Sequence, residues 1–142
     1  MDNSEIVAAC RQAFTGFEKN DRSELVRLLS ENVVFDFPDS LPYGGRYVGK
    51  NEFLTFWKHV ADKWKYFYYD IHDVIQDRDN ILVPVVTRAL SPENILMENE
   101  HLFLFKVSDG RIIYARLYVD TARARDVLEG RQPRRYPKMT AA

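Results

Sequence analysis

The sequence predicts an α+β domain in which a cone-shaped, curved antiparallel sheet wraps around three N-terminal helices (an α+β barrel). Two observations support this fold class. The hydrophobic pattern has a helical period up to Trp64 and a period of two after it. The strand-like segments after Trp64 follow one another with short connections, which join antiparallel hairpins rather than parallel βαβ units.

Residues 4–19 form the first predicted helix. Ile6, Cys10, Phe14 and Phe17 recur there at spacings of four, four and three, and therefore share one face. Such a one-sided apolar face is typical of a helix that packs against a core.

The second and third predicted helices have distinct start signals. Asp21 and Glu24 have the spacing of a capping box, in which the later side chain reaches back to the cap. The third helix opens at Gly49. Its apolar residues share one side at spacings of four, three and four: Phe53, Trp57, Val60 and Trp64.

Five segments have the alternation and composition of strands. They are residues 33–37, 65–75, 80–90, 95–107 and 111–120. A loop from Pro38 to Arg46 follows the first of them. Turns are predicted at Asp77–Asn80, Ser91–Asn94 and Ser108–Gly110, and a short helix at 121–129.

Composition indicates one globular domain, at residues 1–129, followed by a basic tail at 130–142. The formal net charge of −1 gives no reason to expect nucleic acid or an anionic membrane as a partner. The single cysteine, Cys10, cannot form an internal disulfide, and the N-terminal residues lack the pattern of a signal peptide. We therefore expect a cytoplasmic protein.

Two stretches resemble a known family. LPYGGRYVGKNEFLTFW, residues 41–57, has a Gly-Lys pair that opens an aromatic helix. HLFLFKVSDGRIIYARLYVDTARA, residues 101–124, has a strand that starts with His, an Asp-Gly turn and a last strand that ends in Tyr-x-Asp-Thr-Ala. Both resemble SnoaL-like members of the nuclear transport factor two superfamily. The resemblance extends from about residue 5 to 128 and implies a cone that holds a small apolar molecule.

The resemblance implies an enzyme with cofactor-independent acid–base chemistry, because the superfamily includes ketosteroid isomerases, polyketide cyclases, limonene-type epoxide hydrolases and dehydratases. It also includes members that only bind or only associate, so a ligand-binding or dimerisation module is the alternative. In the cyclases the last strand supplies a His and an acid two residues apart. Counting from the Asp-Gly turn places those positions at Ala115 and Leu117, which transfer no proton. This departure argues against cyclase chemistry.

Asp36 interrupts the apolar strand VVFDF. Isomerase-like relatives carry a catalytic carboxylate near this position, so the resemblance implies that Asp36 is the catalytic base, with a pKa raised by an apolar pocket. Strand alternation leaves a second arrangement open. In it, Val33, Phe35 and Phe37 face the core, while Asp36 faces solvent or a partner chain.

His101 and Tyr43 complete the predicted catalytic set. If Phe103 and Phe105 face inward, the strand period turns His101 inward with them, where an imidazole relays a proton or holds a carboxylate. The alternative is a core histidine bonded to backbone. Tyr43 is predicted to act as a lid or as a hydrogen-bond donor to a substrate oxygen, and simple packing is its alternative.

The remaining predicted sites are the pocket wall and a dimer interface. The pocket wall comprises Phe35, Trp57, Val60, Phe103 and Leu117. In the last strand, an apolar set faces the cone: Ile113, Ala115, Leu117 and Val119. A polar and aromatic set faces outward: Tyr114, Arg116, Tyr118 and Asp120. Because Tyr and Arg are favoured at protein contacts, we expect a homodimer through this outer face, with Arg116 and Asp120 as candidates for an ion pair.

No metal or other cofactor is predicted. His59, His72 and His101 lack the spacing of metal ligands, and neither HxxxH nor CxxC occurs. The sequence also lacks GxGxxG, P-loop and GxSxG motifs.

Overall fold

The computed structural model describes residues 3–15 and 21–133 of the chain. Its helices are α1 (Asn3–Thr15), α2 (Ser23–Leu28), α3 (Gly49–Lys63) and α4 (Thr121–Leu128). Its strands are β1 (Leu29–Phe37), β2 (Gly45–Val48), β3 (Tyr66–Ile71), β4 (Ile75–Asp77), β5 (Asn80–Leu90), β6 (Leu96–Ser108) and β7 (Arg111–Val119). The end of the first predicted helix and most of the predicted basic tail lie outside the described residues.

The strands form one curved sheet that stays open, which confirms the predicted α+β class. The strand order is β2-β1-β7-β6-β5-β3, and the short β4 also pairs with β5. The strands from β3 to β7 pair antiparallel, as their short connections predict. β1 instead pairs parallel with β7, so residues far apart in the chain meet at that seam.

The helices pack on the concave side of the sheet. α3 contributes Phe53, whose ring stacks on Phe35 of β1 with centroids 4.5 Å apart. One turn on, Phe56 stacks on Phe37 at 3.7 Å. Stacked aromatic rings bury a large apolar area, so this end of the interior is filled. The five predicted pocket-wall residues are all buried, but whether they contact a ligand stays a prediction.

Two local predictions near α2 and β2 are wrong. The capping box does not form, because the Asp21 carboxylate accepts hydrogen bonds from the Ser23 amide and hydroxyl at 2.9 and 2.7 Å, and Glu24 pairs with Arg27. The Glu24 carboxylate therefore pairs with Arg27 instead of accepting a hydrogen bond from the backbone of the cap residue. The predicted loop after β1 ends early, because β2 pairs antiparallel with β1 through Gly45.

The predicted alternation of the last strand is wrong at its start. The register between β6 and β7 shifts between Lys106 and Val107, which pair with Tyr114 and Ile112. Ile113 is the extra residue of this β-bulge. Ile112 is therefore buried and Ile113 is 42% exposed, the reverse of the expected inward position for Ile113.

None of the helices within residues 3–15 and 21–133 has the length and apolar character of a membrane span. The same residues contain no group of three or more His, Cys, Asp or Glu side chains placed to hold a metal ion. The cytoplasmic location stays a prediction.

Candidate ligand-binding site

A row of polar side chains crosses the concave face of the sheet. The strand register sets Tyr69 of β3 opposite Thr87 of β5, and Thr87 opposite Asn99 of β6. All three side chains are at most 3% exposed. His101 lies two residues after Asn99 on the same strand and also faces inward, at 5% exposure. We call Tyr69, Thr87, Asn99 and His101 the polar row.

Three atoms of the polar row are buried without a hydrogen-bond partner in the described part of the chain: Thr87 Oγ1, Asn99 Oδ1 and His101 Nδ1. The amide nitrogen of Asn99 does have a partner, since it donates to the Asp120 carbonyl at 3.0 Å. An unpaired buried polar atom costs about 1–3 kcal/mol, and native structures hold few of them. Three such atoms at adjacent register positions make the polar row the candidate site of this face.

His101 is held as a neutral imidazole. Its ring lies among aromatic side chains, with centroids 5.7 Å from Tyr69 and 6.3 Å from Phe67. Burial lowers the pKa of His101 to about 3, so the ring carries no charge at neutral pH. A neutral imidazole has one donor and one acceptor nitrogen. His101 can therefore donate a hydrogen bond to a ligand or accept one from it.

A cation lies next to the polar row. Arg22, just before α2, places its guanidinium carbon 4.4 Å from the ring centroid of Trp57 on α3. Burial lowers the pKa of Arg22, and the nearby Tyr69 hydroxyl opposes that change. Burial raises the pKa of Tyr69 well above its ordinary value, and Arg22 counteracts this rise. Arg22 is thus electrostatically coupled to the polar row through Tyr69.

Tyr43 is buried rather than placed as a surface lid. Its hydroxyl accepts a hydrogen bond from the indole Nε1 of Trp64 at 3.3 Å, and its carbonyl accepts one from the Tyr47 hydroxyl at 2.7 Å. Burial raises the pKa of Tyr43 to about 12, so the phenol keeps its proton at neutral pH. These contacts correspond to the packing alternative.

Asp36 does not face the interior, which corrects the expected position. It alternates with the buried Val33, Phe35 and Phe37 and lies on the outer face of the sheet. Arg46 donates two hydrogen bonds to its carboxylate, both at 2.8 Å, and the Tyr114 hydroxyl donates a third at 2.7 Å. The bond from Arg46 lowers the pKa of Asp36 despite partial burial, whereas the predicted base needed a raised pKa.

The outer face next to Asp36 is a groove of about 650 Å³ lined by Asp36, Arg46, Arg116 and Tyr118 among others. The Arg116 guanidinium carbon lies 5.2 Å from the ring centroid of Tyr118. Tyr114, Arg116 and Tyr118 thus share this face, as predicted. Asp120 lies just after β7, and its carboxylate caps α4 by accepting from the Arg123 amide at 3.2 Å; its part in an ion pair at a dimer interface stays a prediction.

Sequence reasoning missed most of the polar row and Arg22. The sequence contained a signal for Asn99, because strand alternation places it on the same face as His101, and the inward direction of His101 then sets that of Asn99. Counting outward equally from the predicted turn at Ser91–Asn94 would set Thr87 opposite Glu98, one residue short of its observed partner, because the hairpin closes between Ser91 and Ile95. No comparable local signal exists for Arg22, because a cap position in a short helix does not reveal which way a long side chain extends.

Comparisons with known proteins agree with this fold. The family model of the SnoaL-like domain matches residues 10–115. An NTF2-like protein of unknown function from Burkholderia pseudomallei K96243 is 21% identical, with a TM-score of 0.80 over 90% of this chain and 98% of that chain. The structure of TerC co-crystallised with polyporic acid is 16% identical, with a TM-score of 0.81 over 87% of this chain and 98% of that one.

A third similar structure comes from Jannaschia sp. CCS1 and is described as a SnoaL-like polyketide cyclase. It is 13% identical, with a TM-score of 0.75 over 88% of this chain and 92% of that one. Comparison with curated proteins finds no match. Identities this low show the shared fold alone. The family match covers well over half of the chain, and the chain therefore belongs to the SnoaL-like domain family within the NTF2-like fold.

Proposed function

We propose that this protein binds a small, mainly apolar molecule with at least one oxygen on the concave face of its sheet. The observation that carries the proposal is the set of three partnerless buried atoms, on Thr87, Asn99 and His101. Ligand sites are mostly apolar, with a few convergent polar groups that fix orientation. The rings of Phe67, Tyr69 and Phe103 supply the apolar surroundings here.

The similarity to TerC supports this proposal. TerC is similar to this chain in fold and has been co-crystallised with polyporic acid, a small organic molecule. The polar row gives a physical reason for binding in this chain. A ligand oxygen that pairs with Thr87 Oγ1 or His101 Nδ1 removes part of the cost of burying those atoms unpaired.

Calorimetric titration with 1-naphthol, an apolar ring system with one hydroxyl, tests the proposal. We expect wild type to bind and Asn99→Leu to bind about tenfold more weakly, because a neutral hydrogen bond contributes about 1 kcal/mol and the larger side chain also obstructs the site. Arg116→Gln, in the outer groove, is the matched control and should bind like wild type. If Asn99→Leu binds as tightly as wild type, the site is elsewhere.

A second candidate is an acid–base enzyme of the isomerase, dehydratase or hydrolase type, which is favoured by His101. A buried neutral imidazole can donate a hydrogen bond to a substrate carbonyl as negative charge develops on its oxygen. Tyr69, whose raised pKa keeps it protonated, is a second donor in the same row. The base is not assigned, because none of the described Asp or Glu side chains is buried.

A β,γ-unsaturated ketone serves as the probe for the catalytic candidate, since its isomerisation to the conjugated ketone is followed by absorbance. If wild type turns the ketone over, a loss of turnover of at least 100-fold in His101→Leu supports this candidate, provided that 1-naphthol affinity falls no more than about tenfold. Turnover that persists in His101→Leu excludes His101 as the donor.

We also propose a homodimer through the outer face of the sheet, as the sequence predicted. Tyr118 is 47% exposed on β7, and its ring centroid lies 5.2 Å from the Arg116 guanidinium carbon. Exposed aromatic and arginine side chains in contact are typical of the centre of a protein interface. Sedimentation equilibrium on wild type and Tyr118→Lys tests this, and a wild-type monomer at micromolar concentration would exclude it.

A further inference from the structure

We infer that Arg22 selects ligands that carry an anionic oxygen, such as an enolate, phenolate or carboxylate, and holds that oxygen beside Tyr69 at one end of the polar row. The inference rests on the proposed function, because it concerns the same interior site. It adds a specificity residue and a chemical class of ligand.

The position of Arg22 is the first support. Its guanidinium carbon lies 4.4 Å from the centroid of the Trp57 ring, and Trp57 is 7% exposed. A guanidinium over an aromatic face is attracted to the ring and stacks on it. Its planar fork of N–H donors suits the lone pairs of a carboxylate or a single oxyanion.

The link to the polar row is the second support. The Trp57 ring that Arg22 covers lies 6.1 Å from the Tyr69 ring between centroids, and Tyr69 is the register neighbour of Thr87. From Arg22 the polar groups therefore continue through Tyr69 and Thr87 to Asn99. A ligand with an anionic oxygen at Arg22 could place a second polar group against the partnerless atoms of the row.

The sign of the charge inside is the third support. Every Asp and Glu in the described part of the chain is exposed or half-buried, and none is buried. The polar row itself is neutral, because burial keeps His101 uncharged. A half-buried cation is screened less by water and salt than a surface one. The described interior therefore favours an anion over a cation or a neutral molecule of the same shape.

Two fluorescent probes with the same skeleton test the inference. N-phenyl-1-naphthylamine is uncharged, and 8-anilinonaphthalene-1-sulfonate adds an anionic sulfonate. Both are titrated against the full chain, and only signal displaced by 1-naphthol is counted, so that both report the same site. We expect wild type to bind the anionic probe about tenfold more tightly than the uncharged one, the ratio that one charge-assisted hydrogen bond gives.

Arg22→Met should remove this preference. The affinity for the anionic probe should fall about tenfold, while the affinity for the uncharged probe should stay within twofold of wild type. Arg22→Lys, which keeps the charge, should retain most of the preference and serves if the Met variant does not fold. Arg27→Met is the matched control: the same charge is removed from an exposed site on α2, and both probes should bind as to wild type.

The outcomes separate this inference from the function on which it rests. If wild type binds neither probe displaceably, the interior site itself is refuted. Two outcomes would refute selection by Arg22 while leaving ligand binding intact. In the first, both probes bind, but Arg22→Met lowers the affinity for both by the same factor. In the second, Arg27→Met has the same effect as Arg22→Met.

Discussion

Replacing Thr87 by Val tests whether the polar row is arranged for a ligand rather than for stability. The Thr87 side chain is fully buried, and its hydroxyl lacks a partner in the described part of the chain. Val has nearly the same shape and exchanges that hydroxyl for a methyl group. The substitution therefore removes an unpaired buried polar atom without opening a cavity.

The size of this effect follows from the loss of one unpaired hydroxyl and the gain of one buried methyl group. Relieving one unpaired buried hydroxyl returns about 1–3 kcal/mol, and the added methyl contributes apolar burial of the same sign. We expect the free protein to become about 1–2 kcal/mol more stable, which corresponds to a rise in Tm of roughly 3–6 °C for a domain of this size. Most substitutions at buried positions destabilise a protein, so a gain is a specific outcome.

Urea denaturation of the free protein and titration with 1-naphthol measure both consequences. Affinity for 1-naphthol should fall about two- to tenfold, as expected for the loss of one neutral hydrogen bond. The control is Thr55→Val on the exposed side of α3, where Thr55 Oγ1 donates to the Asn51 carbonyl at 3.1 Å. The free energy of unfolding of this variant should differ from that of wild type by less than about 0.5 kcal/mol. A loss of 1 kcal/mol or more in Thr87→Val would refute the reasoning, because it would mean that the hydroxyl has a partner.

Three further predictions concern charge and assembly. Asp36→Asn should lower the free energy of unfolding by about 1 kcal/mol at pH 7 and leave 1-naphthol affinity unchanged. Because the pKa of Asp36 is lowered in the folded state, the stability difference between wild type and variant should shrink as pH falls below about 4. Urea denaturation at pH 7 and at pH 3 measures this difference. The folded pKa of His101, about 3, lies below its unfolded value of about 6.5, so the unfolded chain binds the extra proton and wild-type stability falls as pH drops between these values. His101→Gln should remove up to about 1.4 kcal/mol per pH unit of that slope, and an identical slope in the variant would contradict the buried neutral state. Tyr118→Lys should raise the dimer dissociation constant at least tenfold in sedimentation equilibrium, and Lys58→Ala, on the exposed side of α3, is its control.

Much of the fold followed from hydrophobic periodicity. The hairpins from β3 to β7 were predictable because short polar turns, such as Asp109-Gly110 with positive φ at both residues, allow few other pairings. The parallel pairing of β1 with β7 was not predictable in this way. It joins segments more than 70 residues apart, and no local turn encodes such a contact.

The site was predicted less well, for a physical reason that Asp36 illustrates. Alternation in β1 allowed both directions for its side chain, and the family resemblance favoured the interior. The partners that hold Asp36 outside, Arg46 and Tyr114, come from β2 and β7, one of which was predicted as loop. The inward position of His101 needed only the period of its own strand, and the structure places it there.

A crystal structure of the protein soaked with 1-naphthol tests the central claim most directly. The measured quantity is the distance from the naphthol oxygen to the nearest of Thr87 Oγ1, Asn99 Oδ1 and His101 Nδ1. A distance within about 3.2 Å, with the rings against Tyr69 and Phe67, is the predicted result. Naphthol bound only in the outer groove beside Asp36 and Arg116, with ordered water on the polar row, would contradict it.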